Sequence, residues 1–311
     1  MRRCAVRRWS EPPAGSWEVH EVERAGCLRP ATPAVLGVVE VRAENARAVT
    51  VFLSLGDLAD QPGLDMGRFV PGRFFMVWVP RVDEKPYAVS YLDGERAGIT
   101  VQVRGPFSTR LAAARRGDRV GLRGPYGRGF WGVERWGRGE RVALVGGGCG
   151  MAVLAPLAEA LPEAQLVQGA RTAEGLLFLE RFPGQVVYTD DGSAGVGGFP
   201  TEWLAKAAAG GAVKMVYGCG PEAMLAAVAG VCREAGVPAQ LSLERYMKCG
   251  IGVCGQCECD GRRVCVEGPT FDLDELAAMP SFGRRRRDKA GRATSLSPQD
   301  ACPPGPGGGP G

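Results

Sequence analysis

Five of the eleven cysteines in this 311-residue chain fall in one glycine-rich stretch, MKCGIGVCGQCECDGRRVCVEGP, residues 247–269. Their spacing is Cys249-x4-Cys254-x2-Cys257-x7-Cys265, with Cys259 in addition. Thiolates separated by four and then two residues match the plant-type arrangement around a 2Fe-2S cluster. Gly250, Gly252 and Gly255 allow the backbone to bend closely round such a group and to aim amide N–H groups at its sulfurs. Structural zinc is an alternative, although it more often uses two short Cys-x2-4-Cys pairs and here the last cysteine stands alone; plain thiols are the other. Cys259 is read as the spare. The remaining six, Cys4, Cys27, Cys149, Cys219, Cys232 and Cys302, are scattered and read as free thiols of a reducing compartment.

Glycine makes the second chemical pattern. VALVGGGCGMA, residues 142–152, sets Gly146, Gly147, Gly148 and Gly150 between an apolar strand and a helix. There a diphosphate could approach backbone N–H groups at a helix start, although tight strand-to-helix turns use glycine in any case. YGCGPEAML, residues 217–225, repeats the geometry at a later strand. Histidine, on which most acid–base, triad and catalytic metal chemistry draws, occurs once, as His20 in an irregular stretch where it reads as solvated. The expected chemistry therefore needs no protein base, and no catalytic residue is assigned.

Composition excludes other classes. A formal net charge of +4 is small for this length and gives no reason to expect nucleic acid or an anionic membrane as partner. The basic run RRRRDKAGR, residues 284–292, reads as a solvated face or tail rather than an RNA contact. No run approaches the roughly 18 apolar residues of a membrane span, and MRRCAVRRWS lacks the apolar segment of a signal peptide. The expected location is the cytoplasm.

These patterns need elements to hold them. Residues 1–31 are rich in Arg, Pro and Glu and read as an extension with little structure. Over 32–135, LGVVEVRAE, AVTVFLSLG, GRFFMVWVP, KPYAVSY, GITVQVRG and DRVGLRG read as short strands of a small antiparallel β-barrel. Over 136–243, apolar strands alternate with helical segments, among them LLFLERF at 176–182, which predicts a doubly wound parallel α/β domain. The cysteine segment occupies 244–271. Residues 272–311 read as a tail with one short helix, DLDELAAM, and a low-complexity, disordered end.

ERYMKCGIGVCGQCECDGRRVCVEGPTF resembles the C-terminal 2Fe-2S segment of the electron-transfer subunit of NAD-dependent dihydroorotate dehydrogenase, within the ferredoxin reductase superfamily. The resemblance covers roughly 32–292, including FGRRRRDKAGR. It implies an FAD-binding barrel, a nucleotide domain, then the cluster, with Cys249, Cys254, Cys257 and Cys265 as its ligands; the short linker before Cys265 leaves Cys259 as an alternative. By the same resemblance KPYAVSY stands where the family has Arg-Pro-x-Ser at the flavin, so Lys85, Pro86, Tyr87 and Ala88 would bind FAD. Two departures are visible: Lys85 keeps a positive charge but loses the bidentate fork, and Ala88 loses a hydroxyl that Ser90, on the same strand face, would partly replace. QVRGPFSTRL resembles the second flavin stretch, with Gln102, Val103 and Arg104 on a strand and Ser108 and Thr109 opening a helix where hydroxyls and N–H groups suit a phosphate. GPYGRGF, 124–130, resembles the family's turn before the nucleotide domain, and TDDGSAGVGGF, 189–199, also looks like it.

Gly146, Gly147, Gly148 and Gly150 would then hold NAD, with Cys219, Gly220 and Pro221 near the nicotinamide. No clear 2′-phosphate clamp is evident, since Arg171 alone is ambiguous, and this favours NAD over NADP. The implied activity is a relay in which the flavin converts between hydride and single-electron transfer. The implied partner is an FMN-containing dihydroorotate dehydrogenase catalytic subunit, in a heterotetramer of two plus two. A similar flavin and iron–sulfur subunit of a cytoplasmic hydrogenase or sulfite reductase is the alternative, and a zinc-stabilised binding module a third.

Overall fold

The computed structural model describes residues 32–56 and 64–296. The expectations for the N-terminal extension, for His20, Cys4, Cys27 and Cys302, and for the low-complexity end lie outside the described residues. β1 (Ala34–Asn45), β2 (Ala48–Ser54), β3 (Phe74–Val79), β4 (Asp83–Ala88), β5 (Tyr91–Leu92), β6 (Arg96–Gln102) and β7 (Arg119–Tyr126) form one antiparallel sheet in the order β4-β3-β7-β1-β2-β6-β5. Its edge strands β4 and β5 are separated in the chain by Val89 and Ser90 alone, so the sheet curls round a core that includes Leu36, Leu53, Phe75, Val77, Ile99 and Leu122. α1 (Pro106–Ala112) adds Phe107 and Leu111 to this core.

The turn between β4 and β5 corrects one expectation. KPYAVSY is not a single strand: the chain leaves the β3 edge after Ala88 and joins β6 at Tyr91. Ser90 is fully buried, its hydroxyl 2.6 Å from Thr100 Oγ1 and 3.1 Å from the Gly98 carbonyl, and it does not replace a flavin-facing hydroxyl at Ala88. Closing the sheet breaks the alternation on which that expectation rested. Of the second flavin stretch only Gln102 lies within β6; Val103 and Arg104 follow its end.

The second sheet begins with β8 (Val142–Gly147), followed by α2 (Gly150–Ala160), β9 (Gln165–Ala170), β10 (Val186–Thr189), β11 (Val196–Gly197), α3 (Pro200–Ala209), β12 (Met215–Cys219), α4 (Glu222–Ala235) and β13 (Ala239–Ser242). The cysteine segment follows, with the small hairpin β14 (Glu258–Cys259) and β15 (Arg262–Arg263) and the one-turn helix α5 (Val264–Glu267). β16 (Thr270–Asp272) then returns to the sheet, whose order is β11-β10-β9-β8-β12-β13-β16, parallel except for β16 on β13. Strand β8 is buried on both faces: Val142 and Leu144 pack with Met151, Leu154 and Leu157 of α2, while Ala143 and Val145 pack with Leu204 of α3 and Leu225 and Val228 of α4. Helices on both faces explain why these strands are continuously apolar.

Two further segments differ from expectation. LLFLERF is not a helix; after a short 3-10 turn at Ala173–Gly175 the chain runs irregularly, with Phe178 in the left-handed region at φ 59°. The buried Gln168 amide accepts from Leu177 N at 2.7 Å and donates to Leu177 O at 2.9 Å, and those bonds displace helical ones. Residues 272–296 are folded rather than a tail. Asp272 caps α6 (Leu273–Ala277), and β17 (Arg285–Arg287) and β18 (Ala293–Ser295) make a hairpin over the basic run. Arg287 pairs with Glu258 at 2.8 Å and Gln256 donates to the Asp288 carbonyl at 2.5 Å, so the run folds back onto the cysteine segment.

Candidate functional site

Strand β3 explains where the cysteine segment sits. Phe75 and Val77 point into the barrel, whereas Phe74 and Met76 point the other way and share a core with Met247, Cys257, Val264 and Cys265. A Cβ on Gly250, at φ +72°, would lie 2.8 Å from Met76 Cγ, so glycine is what permits the loop to lie against this strand. The sulfurs associate in two pairs, Cys249 with Cys254 and Cys257 with Cys265. Amide groups are aimed at them: Gly252 N lies 3.2 Å from Cys265 Sγ, Cys265 N 3.4 Å from Cys257 Sγ, and Ile251 N 3.5 Å from Cys249 Sγ.

Burial alone would raise the Cys249 thiol, but hydrogen bonds with Cys254 and from the Ile251 backbone draw it down to about 7. The hydrogen bond with Cys265 draws Cys257 down to about 6 and pushes Cys265 up in turn. Among the described residues no group of three or more His, Cys, Asp or Glu side chains is arranged to hold a single metal ion. A two-iron cluster makes a different demand, four thiolates shared over two irons, and paired sulfurs with converging N–H groups fit it. Cys259, buried like Cys257 and Cys265 whereas Cys249 is half-buried and Cys254 exposed, faces elsewhere: its Sγ lies 3.2 Å from Arg245 Nη2, and burial pushes its thiol up to about 11.

The flavin stretches meet at the mouth of the barrel. Tyr87 stacks on Phe107 with ring centroids 6.0 Å apart. Arg104 donates to Gln102 Oε1 at 2.8 and 3.0 Å, and the exposed guanidinium reaches Cys149 Sγ at 3.8 Å. An aromatic shelf beside a guanidinium suits a flavin with its diphosphate. Ser108 is the third residue of α1 rather than its opening residue, and its hydroxyl already accepts from Arg104 N and Gly105 N at 2.8 and 3.0 Å. Thr109 stands exposed on the next position. Lys85 is paired with Asp83 and lies 5.4 Å from the Tyr246 ring, which turns it toward the entrance of the cysteine segment. Pro86 and Ala88 lie opposite Met76 and Phe74 of β3.

Gly146 pairs with Cys219 across neighbouring strands, so the glycine loop and the Cys219-Gly220-Pro221 turn lie side by side at the carboxyl end of the sheet. From β8 the chain proceeds to β9 on one side, and from β12 to β13 on the other; the crevice at such a switch point is where nucleotides bind in open α/β sheets. A Cβ on Gly148 would meet nothing within 4 Å, which leaves the top of the loop open for a diphosphate. Cys149 Sγ donates to Gln102 Oε1 at 2.9 Å and joins this loop to the flavin strand. Arg171 faces Asp190, whose carboxyl is raised by burial against the pull of that guanidinium.

Three residues escape motif reading. Glu244, exposed to solvent after the buried Leu243, has Arg104, Arg286 and Cys219 close enough to act on or feel its carboxyl. Arg123 and Glu84 form an ion pair at 2.5 Å beneath the cysteine loop. Their only sequence signal is position, one residue before GPYG and one before KPYA.

A family model described as the iron–sulfur cluster binding domain of dihydroorotate dehydrogenase B matches residues 244–277. The probable dihydroorotate dehydrogenase B (NAD(+)), electron transfer subunit of Methanothermobacter thermautotrophicus is 49% identical over 234 residues, covering 71% of this chain and 85% of that protein. The protein of the same description from Thermococcus kodakarensis is 44% identical over 218 residues, covering 68% and 88%. Among solved structures, an NADH-dependent reduced ferredoxin-NADP oxidoreductase studied for flavin-based electron bifurcation superposes with a TM-score of 0.65 at 27% identity, covering 80% of this chain and 94% of that one. The ferredoxin reductase of carbazole 1,9a-dioxygenase, at TM-score 0.53 and 22% identity over 68% of each chain, shares the fold.

Proposed function

This chain belongs to the family of electron transfer subunits of dihydroorotate dehydrogenase B (NAD(+)), and on that premise we propose that it delivers electrons from an FMN-containing catalytic subunit to NAD+ in pyrimidine biosynthesis. It is an oxidoreductase subunit that oxidises no dihydroorotate itself. When bound, FAD exchanges hydride with the nicotinamide and single electrons with a 2Fe-2S cluster. The observation that carries the reading is the docking of the paired cysteines on the outer face of β3, the strand whose inner face builds the barrel.

The chain's own residues divide the work. Cys249, Cys254, Cys257 and Cys265 hold the cluster, with the Gly252 and Cys265 amides turned toward sulfur. Tyr87, Gln102 and Arg104 hold and orient the flavin, with Lys85, Pro86, Ala88, Val103, Ser108 and Thr109 around it. The loop of Gly146, Gly147, Gly148 and Gly150 would take the NAD diphosphate, and Cys219-Gly220-Pro221 would lie near the nicotinamide. Asp190, facing Arg171 at the strand ends, suits a ribose hydroxyl better than a 2′-phosphate. The units run 32–135, 136–243 and 244–271, with the following segment closing over the last. Among the described residues no helix is long and apolar enough to cross a membrane. The proposal carries with it a cytoplasmic location and an assembly of two plus two.

The test is anaerobic. Chain loaded with FAD and cluster is combined with the FMN catalytic subunit of the same organism, and NADH is followed on adding dihydroorotate. NADH formation that requires both chains is expected. A loaded chain that yields none with an otherwise active partner would move the assignment to a hydrogenase or sulfite reductase partner.

A further inference from the structure

We propose that Arg123 is a positioning residue for the iron–sulfur cluster, clamping the loop of its first cysteine to the flavin-bearing barrel and holding a positive charge beside it. The inference rests on the cluster assignment above. Arg123 lies on β7, with only 11% of its side chain exposed. Nε and Nη2 grip the two oxygens of Glu84 at 2.6 and 2.5 Å, and Nη1 donates to Tyr126 Oη at 3.1 Å. Nη2 also donates to the carbonyl of Cys249 at 2.8 Å.

The sheet explains the arrangement. β3 lies between β4 and β7, with Met76 opposite both Pro86 and Arg123. The Glu84–Arg123 pair therefore crosses β3 on the face that Met76 shares with the cysteine loop. A bidentate pair fixes the guanidinium plane, and the plane fixes the direction of the bond to Cys249. Glu84 immediately precedes Lys85, so one strand end governs both the flavin stretch and the cluster loop.

Two consequences follow. The separation of flavin strand and cluster is held by charge-assisted bonds rather than by loop packing alone. The guanidinium, nearer the loop than Glu84 is, favours the form of the cluster that carries one more electron, because charge and hydrogen bonding around the sulfurs set such potentials.

Arg123→Gln, Arg123→Lys and the neutral pair Glu84→Gln/Arg123→Gln would be prepared with cluster and FAD. Iron content, the cluster potential and the spin-resonance spectrum of the reduced cluster would be measured without any turnover. In Arg123→Gln the one-electron equilibrium should move about tenfold toward the oxidised form, a potential lower by about 59 mV, with an altered spectrum. Arg123→Lys should restore the potential but not the native spectrum, since it keeps charge and loses the fork. An iron-loaded Arg123→Gln with native potential and spectrum would overturn the inference. Should that variant hold no iron, the neutral pair, which leaves no charge unpaired, decides by the same two readouts. A native chain that takes up no iron would refute the cluster assignment instead.

Discussion

Replacing Gly150 by alanine should force apart the two turns that form the nucleotide crevice. A Cβ at this position lies 2.0 Å from the Cys219 carbonyl oxygen, 2.3 Å from its carbon and 2.7 Å from Gly220 N. All three are backbone atoms, held by the pairing of Cys219 with Gly146, so no side-chain rotation relieves the contact. Reaching even the 3.0 Å that real Cβ contacts respect requires the turns to separate by about 1 Å. Overpacking of this kind costs about 1–3 kcal/mol, or roughly 4–24 °C in Tm for a unit of about 100 residues. The displacement falls on the turn read as seating the nicotinamide, where a 1 Å error costs about 100-fold in rate. Gly230→Ala is the control: it lies within α4 with nothing within 4 Å of its Cβ and should gain up to about 1 kcal/mol in helix propensity. Thermal unfolding in excess FAD and anaerobic stopped-flow reduction of the flavin by NADH read the two effects. Gly150→Ala matching the native protein, or Gly230→Ala, in both would refute the reasoning.

Other substitutions separate the remaining assignments. Cys254→Ala should lose iron and dihydroorotate-driven NADH formation while FAD stays bound, whereas Cys259→Ala should keep its iron and lose about 1 kcal/mol with the Arg245 contact; equal iron contents would contradict the ligand set. Ser108→Ala removes the acceptor for Arg104 N and Gly105 N, so about 1–2 kcal/mol of stability and part of the flavin should be lost, visible as FAD retained on gel filtration. Burial raises the Glu222 carboxyl above its ordinary 4.5 despite Arg245. The folded state therefore binds that proton more tightly, and the stability it contributes is present below 4.5 and lost as pH rises through the raised value. The stability of the native protein relative to Glu222→Gln should accordingly fall as pH climbs from 4.5, followed as urea midpoints; a difference independent of pH would count against this.

The residues that carry chemistry were legible where their requirement is local. Cysteines separated by four and then two residues, glycines between strand and helix, and period-two apolar runs are constraints met within a few residues of covalent chain. Misreadings fell where a distant partner intervened. The apolar spacing of LLFLERF fits a helix until Gln168 claims the backbone of Leu177. Ser90 looks like a neighbour of Ala88 until closure of the sheet sends it to Thr100. Ser108 looks free for a phosphate until its own helix start uses it. The run beginning at Arg284 does keep Arg284, Arg285 and Arg287 exposed, but as a hairpin anchored on Glu258 and Gln256 rather than as a tail.

By itself the sequence determined the kind of chemistry, an antiparallel barrel followed by a parallel α/β unit, and a cysteine segment spaced for two irons, because each of these depends on residue type and short spacing. Only the tertiary structure decided which face of β3 receives the cysteines, that Cys259 turns to Arg245, and that Arg123 and Glu84 meet across a strand. Those outcomes depend on strand register, and a shift of one residue would send every side chain concerned to the other face of its sheet.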